Sequence, residues 1–118
     1  MPADLPASEK ELQQRIMRVA KEFGWLCSHT YRAKLEDGSW RTTTTAVGLP
    51  DLLLVHPVWG RFMALECKGP KGRATPEQKR WVAAFQQVAT AAPGVVHAFV
   101  VGPQDWPAVM RLLSRRHP

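Results

Sequence analysis

Two apolar runs, LLLV at 52–55 and FMAL at 62–65, stand six residues apart, and this spacing restricts the chain more than any other feature. Each run has the length of a strand rather than a helix. The residues between them, HPVWGR, include Pro57 and Gly60, which favour a turn. The pair reads as an antiparallel hairpin. Its ends are charged: Asp51 opens the first strand, while Glu66 and Lys68 close the second. Residues two apart on a strand share a face, so Glu66 and Lys68 face one way and Cys67 the other. Antiparallel pairing sets the start of one strand beside the end of the other, so Asp51, Glu66 and Lys68 converge at one edge of the sheet. Charges there are costly to desolvate unless they are paired or bound to a cation. A plain carboxylate–lysine ion pair is one reading. The other is a divalent ion, because two carboxylates and a backbone carbonyl suit Mg²⁺, which takes oxygen at roughly 2.1 Å and keeps several waters. Such an ion activates water and offsets phosphoryl charge, and a nearby lysine stabilises a developing anion.

The rest of the chain supplies elements to carry this hairpin. Leu12, Ile16, Val19, Ala20 and Phe23 recur at helical spacing over 6–25. Ser8 and Glu11 form a capping-box pattern, and Gly24 is a natural stop. Residues 25–33 alternate like a strand, and 34–48 are polar, with Asp37-Gly38 as a hairpin tip. A loop at 69–74 leads to a second helix over 75–92, with Thr75 as N-cap, Pro76 at its first position and Gln78 three residues after the cap. A buried strand over 95–101 and a closing helix over 103–116 follow. The order is αβββαβ with a trailing helix, an α/β domain with helices flanking a central mixed sheet.

The chain has 118 residues, enough for one domain and a true core. Lys plus Arg outnumber Asp plus Glu by 16 to 10, which points to a polyanionic partner, above all nucleic acid. The N-terminus is polar and no run approaches the roughly 20 apolar residues of a membrane span. Cys27 and Cys67 therefore read as reduced core thiols, and their separation does not make a zinc site. There is no P-loop and no dinucleotide fingerprint.

The segments "GLPDLLLV", "FMALECK" and "GRATPEQKRWVAAF" together resemble the VRR-NUC branch of the PD-(D/E)XK nuclease superfamily. The resemblance covers about residues 8–106. It rests on the Gly-x-Pro-Asp strand start, the hydrophobic Glu-x-Lys strand end, and a helix glutamine leading into a tryptophan. The αβββαβ order is also that superfamily's core, a restriction-endonuclease-like fold. The resemblance implies one nuclease domain over 1–118, of the stand-alone kind found in phages and bacteria, working in the cytoplasm. It implies a metal-dependent endodeoxyribonuclease using Mg²⁺ or Mn²⁺ and no small-molecule cofactor. Asp51, Glu66 and the carbonyl of Cys67 become metal ligands, and Lys68 the catalytic lysine. Gln78 matches the family's helix glutamine near the site, although a Thr-x-x-Gln capping box would place it there for helix stability alone. The family also brings an acidic residue from the first helix. Glu11 is occupied as the capping partner, so Glu9 in "SEKELQ" is expected, with Glu11 next and Gln13 a lesser alternative. Some relatives cut branched DNA as homodimers, so a Holliday junction in repair or recombination is among the implied substrates.

Lys71, Arg73, Lys79 and Arg80 follow Lys68 closely, and Arg32, Lys34 and Arg41 flank the polar stretch before Asp51. As a group they suit a phosphate track; each alone also reads as a solvated charge. His29 stands where some relatives have a histidine, and is either a phosphate contact or structural. His56 reads as structural, and His97, in the last strand, as core. Trp81 and Phe85 read as core, whereas Trp40 and Trp59 in turns suit base stacking or a partner surface. Thr42 to Thr45 offer hydroxyls to phosphates or form an ordinary strand. The rival readings are a module of the same fold that binds nucleic acid without cutting, and an interaction protein whose strand-end charges merely pair.

Overall fold

The computed structural model describes residues 4–30, 32–34, 36–42 and 45–116; at 32–34 and 40–42 only the backbone is described. Helix α1, Glu9–Glu22, begins where Ser8 Oγ accepts the Glu11 N–H at 3.1 Å. The reciprocal bond expected of a capping box goes one residue further back: the Glu11 carboxylate accepts from Ala7 N at 2.7 Å. Leu12, Ile16, Val19 and Ala20 form the buried stripe of α1.

Strand β1, Leu26–His29, follows, then a separate ribbon of β2, Arg32–Lys34, and β3, Trp40–Thr42. The hairpin comprises β4, Leu52–His56, and β5, Arg61–Cys67. Helix α2, Pro76–Ala91, leads to β6, Val96–Val101; a short 3₁₀ turn, Pro103–Asp105, precedes α3, Trp106–Ser114. The four-stranded sheet has the order β1-β4-β5-β6. β1 and β5 run antiparallel to β4, and β6 runs parallel to β5. A parallel neighbour needs a crossover, and α2 supplies it.

The sheet separates two apolar layers. On one side Leu52, Leu54, Met63, Leu65 and Cys67 pack with Leu12, Ile16 and Val19 of α1 and with Val109 and Leu113 of α3. On the other, Ala64 and Ala98 meet Val82 of α2, with Leu53, Phe62 and Phe85 against them. The alternation therefore places Cys67 on the α1 side and Glu66 on the α2 side, as strand periodicity requires. Within the four-stranded sheet β5 is the most deeply buried strand, with six of its seven residues buried.

Several sequence expectations change, and the strand over 95–101, expected to be buried, is one: it lies at the sheet edge with Phe99 and Val100 exposed. The strand expected over 25–33 is two strands, because the chain leaves the main sheet at Thr30, whose N–H donates to Asp51 O at 2.9 Å. The closing helix starts at Trp106 rather than 103. Cys67 is buried as expected, but Cys27 is exposed on edge strand β1. The Asp37-Gly38 tip stands, with Gly38 at φ +89° and the Asp37 carboxylate accepting from Ser39 N at 2.9 Å. Among the described residues no helix is long and apolar enough to cross a membrane.

At the far end of the sheet, His56 is held in one tautomer: Nε2 donates to Phe23 O at 2.6 Å and Nδ1 accepts from Trp59 N at 3.0 Å. Trp59 stacks on that ring at 4.0 Å, so its apolar surface is engaged inside the chain. His97 is half-buried on β6. At the open edge of β6, Gln86 Nε2 donates to Ala98 O at 2.9 Å.

Candidate active site

The β4–β5 register brings the charges together. Leu52 faces Leu65, so one step further Asp51 stands opposite Glu66. Glu66 is completely buried, although it is a carboxylic acid. Neither of its oxygens has an aligned hydrogen bond; Lys68 Nζ meets Oε2 as an ion pair at 3.1 Å. Burial, then the negative charge of Asp51, pushes the Glu66 carboxyl up to about 8, against the pull of Lys68. A buried acid at the edge of a charge pair is an expensive arrangement, and a bound cation offsets it.

Asp51 is half-buried and well tethered. Its Oδ2 accepts from Gln13 Nε2 and from Cys67 N, each at 3.2 Å. The Cys67 thiol is inert, because burial and the charges of Asp51 and Glu66 raise it far above its ordinary value. Lys68 is fixed at both ends: its N–H donates to Val101 O at 2.8 Å, and its side chain lies under the turn closed by Gly72 N to Gly69 O at 3.1 Å. A Cβ at Gly72 would stand 3.3 Å from Lys68 Cβ, so the turn packs directly on the lysine.

The first helix reaches this site through Gln13, which sequence reasoning ranked below Glu9 and Glu11. The "SEKELQ" pattern held the signal, since Glu9 and Gln13 lie one turn apart on one face. Glu11 is engaged elsewhere, with Ala7 N and with Arg15 at 3.1 Å, and these partners hold its carboxyl below its ordinary value. Glu9 lies over the Gly69 turn, 3.9 Å from a Cβ built there, and its charge reaches Cys67. Gln78 closes the α2 capping box: its Oε1 accepts from Thr75 N at 2.8 Å and its N–H donates to Thr75 Oγ1 at 3.2 Å. The α2 start abuts the loop before Asp51. A Cβ at Gly48, whose φ is +86°, would stand 2.6 Å from the Glu77 carbonyl carbon, and Trp81 Nε1 donates to Val47 O at 2.9 Å.

Lys71, Arg73, Lys79 and Arg80 are exposed on the turn after β5 and on early α2. His29 is half-buried at the end of β1, paired with Leu52. The side chains of Arg32, Lys34, Trp40, Arg41 and Thr42, and Thr43 and Thr44 entirely, lie outside the described residues.

Among the described residues no three His, Cys, Asp or Glu side chains are grouped to share a metal ion. Asp51 and Glu66 are therefore a two-carboxylate set. Such a set fits a hard cation completed by carbonyl and water.

The sequence model of the VRR-NUC domain matches residues 7–97. The chain belongs to the VRR-NUC domain family. VRR-NUC is a nuclease domain family, with DNA as the substrate that this implies. The matched span runs from α1 into β6 and contains every residue placed above at the strand ends. Comparison with curated proteins and with solved structures found no match.

Proposed function

We propose that this VRR-NUC chain is a Mg²⁺- or Mn²⁺-dependent endodeoxyribonuclease that hydrolyses DNA phosphodiester bonds. The observation that carries the reading is the buried Glu66 carboxyl, set opposite Asp51 and beside Lys68. A module that only binds a polyanion gains nothing from two carboxylates facing it. Asp51 and Glu66 would hold the ion, with the Cys67 carbonyl as third protein ligand. When bound, it supplies a water of lowered pKa and offsets phosphoryl charge.

The chain's own groups do the rest. Gln13 and the Cys67 N–H aim the Asp51 carboxylate, so its orientation is set before the ion arrives. Lys68, fixed by its backbone and by the Gly72 turn, presents an ammonium to the attacking water or to the developing phosphorane charge. Glu9, one turn from Gln13, supports the site from α1. Lys71, Arg73, Lys79 and Arg80 would hold flanking phosphates, and Arg32, Lys34, Arg41 and His29 would extend that track. Gln78 holds the first turn of α2 in place, and so the Gly48 loop packed on it.

The test is cleavage of labelled linear duplex, single-strand, flap and four-way-junction DNA with Mg²⁺, Mn²⁺ or EDTA. Wild type would be run beside Lys68→Ala and Asp51→Ala. Metal-dependent cutting lost in both variants is the expected result. Salt-sensitive binding with no cutting on any substrate would leave the binding module standing instead. Preference for the four-way junction would make the chain a junction resolvase, which acts as two copies on two strands.

A further inference from the structure

We infer that Pro50 is a positioning residue for the metal site: having no N–H to give, it keeps strand pairing from capturing the Cys67 carbonyl. The inference rests on the metal-dependent reading above.

Backbone directions along β5 are set by its bonds to β6. Phe62 N donates to Val95 O and Lys68 N to Val101 O, each at 2.8 Å. Even-numbered residues of β5 thus turn their backbone groups to β6, and odd-numbered residues, Cys67 included, turn theirs to β4. In an antiparallel ladder such a residue exchanges both bonds with the residue directly opposite. Leu65 faces Leu52, so two steps on Cys67 faces Pro50. An ordinary residue there would give its N–H to the Cys67 carbonyl and take the Cys67 N–H in return. Proline has no N–H to give. The other half of the exchange is also diverted, because the Cys67 N–H donates to Asp51 Oδ2 at 3.2 Å. The ladder therefore stops at Leu52 and Leu65, one hydrogen-bonded pair short of the site.

The result is a strand whose last carbonyl, beside Asp51 and Glu66, meets no main-chain donor from β4. A neutral oxygen next to two carboxylates is the ligand type a hard cation takes. The Pro50 ring is fully buried, so its packing holds this break in place. With an N–H at position 50, a cation would have to break a backbone hydrogen bond before it could take that oxygen.

The experiment compares wild type with Pro50→Ala, without DNA. Mn²⁺ binding is measured by calorimetry, and amide exchange and carbonyl ¹³C shifts by NMR on labelled protein. The expected result is a folded variant with Mn²⁺ affinity lower by about fivefold, the factor for breaking one backbone hydrogen bond. Its new residue-50 amide is protected from exchange without metal and loses protection when Mg²⁺ is added. In wild type the Cys67 carbonyl carbon shifts on Mg²⁺ addition. If Pro50→Ala does not fold, Pro50→Val brings the same N–H on a side chain of similar bulk and takes its place. A folded variant whose Mn²⁺ affinity equals wild type, or whose residue-50 amide exchanges freely, overturns the inference and leaves the metal reading intact. A wild type that binds no Mn²⁺ overturns both.

Discussion

Glu66 is where a single side chain governs both stability and chemistry. Burial and the charge of Asp51 push its folded carboxyl up to about 8, from an ordinary value of 4.5. The native state therefore holds a proton that the unfolded chain releases across that window. Without metal, the Glu66 contribution to stability is greatest at the acid end of that window and falls as the pH rises toward about 8. Urea unfolding of metal-free protein across the window should show this decline, and Glu66→Gln should flatten it while abolishing cleavage. A decline of equal size in Glu66→Gln would assign it to other groups. Gln13→Ala removes one tether of Asp51; it should cut the cleavage rate about tenfold and leave the fold intact, read by kcat beside thermal unfolding. Asp51, Glu66 and Lys68 were legible in the sequence because strand periodicity and one short turn bring them together. Gln13 stood only as a lesser alternative in the sequence, because its bond to Asp51 spans 38 positions and depends on how α1 packs across the sheet.

Among the elements, the loop before β4 and the start of α2 behave as one piece. Gly48 lies too close to Glu77 to accept a side chain, and Trp81 ties the same loop through Val47. Gly48→Ala combines a left-handed backbone with a collision against main chain and should cost about 2 kcal/mol. Chemical denaturation measures that cost, and a loss of cleavage at temperatures where the variant is still folded would show that the loop also aims Asp51. Helices α1 and α2 were readable from caps and periodicity. The division between β1 and β2 was not, since the residues alternate smoothly through Thr30 and only the bond to Asp51 O marks where the chain leaves the sheet. Trp59 was undecided from sequence because a turn tryptophan gives no sign of its neighbour; here that neighbour is His56.

For the whole molecule, the formal charge of +6 is spread so that four exposed cations follow the candidate site in the chain. DNA binding, measured with Ca²⁺ in place of Mg²⁺, should weaken steeply with salt. Arg80→Ala should lower the slope of log affinity against log salt by about 0.9 if that residue neutralises one phosphate. An unchanged slope would take Arg80 off the track. The basic excess was plain in the composition, but its placement needed the fold.

The edge of β6 bears on a different matter, how copies of this chain can meet. The even-numbered residues of β6 turn their peptide groups outward, which is the template that lets sheets fuse. Gln86 occupies the carbonyl of Ala98 at the middle of that row. A second chain laid against β6 would have to evict that amide before the sheet could continue through it. Gln86 thus stands in the way of strand addition at β6, and a pairing of copies across that edge that leaves it seated must be built from side chains rather than from one continuous sheet.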